Sequence, residues 1–249
     1  MNEIPWAQYA ALLGAGLAMG IGAIGPGVGL GISAVGSVNA MWRQPAVAGN
    51  AFRNMLVAQA VTETPAVFSL VIAFMLYFQA VGNPELHHSV AMAAVYLSTG
   101  ICVGVGSLGS GVASGMVGRD ALAAIGARPS SNGTVMLYML IGQAWAQTGG
   151  IFALVVAMLM MNIGGLDALS TSETIFGSGK YLGAGISMGF GAVGPAVGVA
   201  YIAGRACVAL ARSEEGTRFL VRNAFFVGAA TAQTTAIYAL VIALLMMFQ

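Results

Sequence analysis

Residues 55–76 read MLVAQAVTETPAVFSLVIAFML, an apolar stretch holding a single charged side chain, Glu63. The apolar run extends outward to about 51–80, longer than the roughly 20 residues a helix needs to cross a bilayer core. It is continuous and does not alternate in polarity, which fits a helix and excludes a barrel strand. Glu63 lies ten residues beyond Arg53. At 1.5 Å per residue that is about 15 Å, half of a roughly 30 Å hydrocarbon core. A carboxylate at the midplane is rare and marks function.

The neighbours of Glu63 suit ion handling. Gln59 sits one turn earlier on the same face. Thr62 and Thr64 flank it with hydroxyls. Pro65 has no N–H, so the Val61 carbonyl loses its helical partner. That oxygen is expected to accept a bond from protonated Glu63, to hold a water, or to coordinate a cation. Burial in hydrocarbon favours the neutral acid, whereas a cation or a water-filled channel favours the carboxylate. A proton or Na⁺ carrier needs that reversible change.

The stretch recurs twice. MLIGQAWAQTGGIFALVVAMLM begins at Met139 and FFVGAATAQTTAIYALVIALLM at Phe225. Phe68, Phe152 and Tyr238 then share one position. Glu63 is matched by Gln147 and Gln233, which keep shape and hydrogen bonding but cannot titrate. Thr64 is matched by Thr148 and Thr234. Ahead of each copy lies a second matching run: GIGAIGPGVGLG from Gly20, GVGSLGSGVASG from Gly104 and GFGAVGPAVGVA from Gly189. Six apolar runs result, at about 9–40, 51–80, 89–122, 134–162, 177–210 and 218–248. The fold class expected is an all-α membrane protein of six transmembrane helices. They form three tandem helical hairpins, at residues 1–82, 83–166 and 167–249, in direct order. Direct repeats indicate a ring or stack, and inverted repeats would indicate a secondary transporter.

Composition agrees. The 249 residues are 58% hydrophobic and 7% charged, against roughly 25% charged in a soluble domain. A net charge of +1 lacks the basic stripe that nucleic-acid binding requires. Cys102 and Cys207 fall within apolar runs and read as small buried hydrophobes. The start, MNEIPW, has no basic region typical of a cleaved leader. Arg43, Arg53, Arg119, Arg128, Arg205, Arg212, Arg218 and Arg222 lie in or beside the connections within hairpins. Glu3, Glu85, Asp167, Glu173, His87, His88 and Lys180 belong to the other side. The positive-inside rule puts the hairpin loops in the cytoplasm and both termini on the opposite side.

The first helix of each hairpin is rich in glycine; the first holds Gly14, Gly16, Gly20, Gly22, Gly25, Gly27, Gly29, Gly31 and Gly36. Glycine weakens helices, so these must serve close packing. A helix narrow on several faces suits the inner layer of a tightly curved ring. The bulkier second helices suit an outer, lipid-facing layer.

Gly25, Gly27, Gly29 and Gly31, the loop Arg43-Gln44-Pro45 and the QAVTET segment around Glu63 together resemble the proteolipid, or c subunit, of F-type and V-type rotary ATPases. The loop looks F-type, and the fusion of hairpins with loss of carboxylates is more like V-type and archaeal proteolipids. The resemblance implies a homo-oligomeric, two-layered ring that turns against a stator a subunit, with Arg43-Gln44-Pro45 facing the central stalk. It implies no cofactor and no catalysis in this chain. Arg128-Pro129 keeps part of the loop motif and Arg212-Ser213-Glu214 keeps the arginine. One carboxylate per three hairpins favours an ATP-driven pump. Sodium-binding members carry a glutamine where Leu30, Ser114 and Val199 stand here, which favours H⁺. Thr64 and the Val61 carbonyl leave Na⁺ open, because oxygen-rich sites suit hard cations. The competing readings are an ion channel or secondary transporter with Glu63 as relay, synthase-direction operation of the same ring, and a structural pore without ion turnover.

Overall fold

The computed structural model describes residues 6–82, 90–162 and 171–248, and within these not the side chains of 171–175 and 215. The described chain is helical: α1 (Trp6–Gly22), α2 (Ile24–Arg43), α3 (Ala48–Gly82), α4 (Val90–Ala127), α5 (Asn132–Ala146), α6 (Thr148–Met161), α7 (Thr171–Arg212) and α8 (Glu215–Phe248). Together they make six segments long and apolar enough to cross a membrane. Two of the six spans are locally loosened without breaking. At Ala23 the backbone bonds to Met19 and from Gly27 persist, and Pro26 withholds the one helical bond its missing N–H would make. At Gln147 the N–H is shared between the Gln143 and Ala144 carbonyls, just before the weak helix formers Gly149 and Gly150.

The helices form two layers. The glycine-rich helices stand side by side in one layer, α1–α2 against α4 and α4 against α7. The bulkier helices fill grooves in the second layer: α3 packs against α1, α2 and α4, α5–α6 against α4 and α7, and α8 against α7. The middle unit's first helix is therefore the core. Its most apolar window is 78% buried, against 17% for the last span.

Glycine spacing explains how the first layer closes. Gly14, Gly25 and Gly36 recur every eleven residues and meet the α4 backbone at Tyr96, Leu108 and Arg119. Gly100, Gly104, Gly111 and Gly115 answer from α4, against Gly14, Leu17, Pro26 and Gly29. A methyl at Gly29 would collide with the Gly111 carbonyl and the Thr62 methyl. In lipid, where apolar burial does not drive association, such backbone contact is the main source of adhesion.

The α2–α3 and α4–α5 connections share a backbone. Gln44 (φ −145°, ψ 83°) and Arg128 (φ −144°, ψ 86°) each lead into a single 3₁₀ turn opened by proline. One Arg128 Nη1 donates to the carbonyls of Ala211 (3.2 Å) and Arg212 (3.3 Å), which serves the end of α7. Arg43, Arg128 and Arg212 line one cavity of about 400 Å³ at this end. Glu3, Glu85, His87, His88 and Asp167 lie outside the described residues, as does the side chain of Glu173.

Candidate ion site

Thr62, Val61 and Glu63 point in different directions from α3. Thr62 is fully buried in the seam between hairpins. Its hydroxyl donates to the Ala58 carbonyl (2.8 Å) and pairs with Ser114 Oγ (3.2 Å) on α4. Gln143 Nε2 on α5 completes this cluster, reaching the Ala58 carbonyl (3.0 Å), Thr62 Oγ1 (3.2 Å) and the Ser114 carbonyl (3.2 Å). Three helices are thereby tied together by buried polar groups, with Gln143 Oε1 left without a partner among the described residues.

The Val61 carbonyl corrects the expectation drawn from Pro65. It is not free beside Glu63. Gln147 Nε2 donates to it at 2.6 Å, and also to Ser114 Oγ at 3.3 Å. Proline removes one donor, and the next hairpin supplies another. The third hairpin repeats the reach: Gln233 Nε2 donates to the Trp145 carbonyl at 2.7 Å. Trp145 precedes Gln147 by two residues, as Val61 precedes Glu63. Each glutamine thus hydrogen-bonds backward to the same carbonyl position in the hairpin before it.

Among the described residues, no hairpin stands before the one that carries Glu63. Its side chain is exposed on the outer face of α3. Gln59, one turn away, donates to the Leu30 carbonyl at 3.2 Å. That bond matches Gln143 on Ser114, since Leu30 and Ser114 are equivalent positions. Thr64 is half-buried beside Glu63, and Pro65 is buried toward the chain interior. Thr148 is half-buried, whereas Thr234 is exposed and donates to the Thr231 carbonyl at 2.7 Å. Arg43, Gln44 and Pro45 lie far along the chain from this level, at the loop end.

Sequence reasoning missed two features. Gln143 acts as a buried tie, and its match to Gln59 was the available signal. Asp120, inside the third span, pairs with Arg119 at 2.8 Å and packs against Gly204 on α7. The adjacent opposite charges, Arg119-Asp120, were legible as a self-neutralising pair. Among the described residues, no group of three or more His, Cys, Asp or Glu gathers as for a metal. Cys102 and Cys207 are buried free thiols.

The family model for the ATP synthase c subunit matches three times, at residues 13–76, 97–160 and 182–246. One relative is the ATP synthase c subunit of Petrotoga mobilis, 53% identical over 79 residues, or 31% of this chain and 82% of that protein. The ATP synthase c subunit of Thermotoga maritima is 55% identical over 77 residues, 31% of this chain and 91% of its own length. That of Dehalococcoides mccartyi is 49% identical over 74 residues, 30% of this chain and 97% of its own. Each relative is thus about one hairpin long, and this chain holds three such lengths in a row. The chain belongs to the ATP synthase c subunit family, in a tandem three-hairpin form, and is a non-catalytic, ion-translocating membrane proteolipid.

Proposed function

We propose that copies of this chain close into a rotor ring in which Glu63 carries the transported ion at the junction between copies. The carrying observation is the backward reach of the glutamines. Gln147 and Gln233 each find their carbonyl on the preceding hairpin. Glu63 finds the equivalent carbonyl, that of Thr231, on the last hairpin of a neighbouring copy. That oxygen lies inside α8, four residues before Thr235, and also accepts from Thr234 at 2.7 Å, so Glu63 competes with the Thr234 hydroxyl for its outward lone pair. Protonated Glu63 donates to it as the glutamine amides do. Ionised Glu63 cannot donate, and it leaves the carbonyl when it meets the aqueous half-channel or the fixed cation of a stator a subunit.

The glycine rows support a ring. Gly16, Gly20, Gly27 and Gly31 are exposed with nothing close to them. Their equivalents one hairpin on, Gly100, Gly104, Gly111 and Gly115, are the buried row that receives α1–α2. The exposed row therefore offers the same seat to α7 of another copy. On α7, Ile186 and Gly194 stand exposed at the positions that match Leu17 and Gly25. This contact is heterologous and head-to-tail, the kind that closes into rings.

The ion favoured is H⁺. On this chain's side of Glu63, the Leu30 carbonyl is taken by Gln59 and the Val61 carbonyl by Gln147. Thr64 Oγ1 and the Gln59 amide oxygen are the side-chain oxygens left uncommitted among the described residues, which is few for Na⁺. One titrating site per three hairpins lowers the ions moved per turn and lets each ATP push an ion against a steeper gradient, which favours a pump. The arginine-bearing loops face the cytoplasm, with Arg43-Gln44-Pro45 toward the central stalk, and the hairpins divide at residues 82/83 and 166/167.

A hydrophobic carbodiimide tests the site. It should modify Glu63 and spare the other acids, and Glu63→Gln should abolish ion-coupled ATPase activity while the assembly persists. Full coupling in that variant would refute the reading.

A further inference from the structure

Hairpin three carries a pair of arginines that the other two hairpins lack. Arg218 and Arg222 stand one turn apart near the start of α8. The matching positions hold Ala48 and Phe52 in hairpin one, and Asn132 and Met136 in hairpin two. The pair borders a groove of about 480 Å³ between α5, α7 and α8, with Thr134, Leu137, Tyr138 and Leu210 as its other walls. Arg218 Nε is buried there without a hydrogen-bond partner among the described residues, which leaves a donor for a ligand oxygen. Arg222 lies exposed, its guanidinium 6.0 Å from the Phe219 ring centre. Glu214, four residues before Arg218, is exposed at the connection.

The depth and the walls indicate the ligand. Arg222 precedes Gln233, the equivalent of Glu63, by eleven residues. That is about 16 Å along a helix, the edge of the hydrocarbon core. The groove opens on the layer of second helices. On its midplane side, exposed Phe226, which contacts the ring of Tyr138, and exposed Val227 offer an apolar surface level with acyl chains. Guanidinium donors and hydroxyls at headgroup height, above an apolar wall, match a phosphate joined to hydrocarbon.

We infer that this groove binds the headgroup of one anionic phospholipid per chain, its phosphate held by Arg218 and Arg222 and its acyl chain lying along α5 and α8. The lipid site rests on the membrane orientation of the helices and does not need Glu63 to carry an ion.

Native mass spectrometry of the intact assembly provides the test. Detergent-solubilised assembly would be exchanged into phosphatidylglycerol, or into phosphatidylcholine as the zwitterionic control. One phosphatidylglycerol retained per chain, with phosphatidylcholine lost, is expected. Arg218→Gln with Arg222→Gln should weaken that retention by about thirtyfold, the order set by two arginines near an anionic surface. Arg53→Gln, an exposed arginine of hairpin one, should leave retention unchanged. Equal retention of both lipids, an unaffected double variant, or displacement of the lipid by millimolar inorganic phosphate would overturn the inference. Loss of Glu63 labelling with lipid retention intact would instead count against the ion site alone.

Discussion

Replacing Gln147 by leucine would remove the side-chain donor that reaches the Val61 carbonyl at 2.6 Å, along with the longer bond to Ser114 at 3.3 Å. Hydrogen bonds between membrane helices contribute about 0.6 kcal/mol on average, because a released group finds another partner. The Val61 carbonyl has no such recourse, since Pro65 denies it the helical N–H. A buried unpaired acceptor costs about 1–3 kcal/mol, so a loss of about 2 kcal/mol is expected for Gln147→Leu. Pro65→Ala restores an N–H four residues beyond Val61. In that background Gln147→Leu should cost only about 0.6 kcal/mol. The difference is a coupling of roughly 1 kcal/mol or more between positions 65 and 147. The double-mutant cycle is measured by reversible unfolding in mixed detergent micelles, followed by helical circular dichroism. Equal losses in the two backgrounds would refute the account, because the amide would then serve something other than the orphaned carbonyl.

Gln147→Glu places a second titrating group at a site whose carbonyl lies within the same chain. Carbodiimide should then label two residues per chain, and ions moved per ATP should double in reconstituted vesicles. Gly27→Ala and Gly29→Ala sit two residues apart on α2 and gain the same helix propensity. Only a methyl at Gly29 meets Gly111 and Thr62, so Gly29→Ala should lower the stability of the chain itself. Gly27→Ala should leave the chain folded and weaken assembly, seen as smaller species on native gels. Arg128→Gln withdraws the donor from the Ala211 and Arg212 carbonyls. It should loosen the end of α7 by about 1–2 kcal/mol, read as faster amide exchange there.

The six spans and their threefold repeat were legible because lipid demands long apolar helices and because the repeats preserve the residues of each site. Equivalence of Glu63, Gln147 and Gln233 was likewise open to inspection. Contacts between helices were not. Pro65 announces that the Val61 carbonyl lacks its usual partner, yet nothing local says that an amide 86 residues further on, that of Gln147, fills the gap. The burial of Thr62 and the tie made by Gln143 depend on which helices stand face to face. The loosened turns at Ala23 and Gln147 also escape hydropathy, because both spans remain apolar through them.

The eleven-residue recurrence of Gly14, Gly25 and Gly36 places three helical turns in slightly more residues than an ideal helix would use. A seam kept at that interval winds with a right-handed pitch. Twist applied along the winding presses the glycine backbones together, and twist against it pries them apart. A rotor wall laced in this way is stiffer in one sense of torsion than in the other.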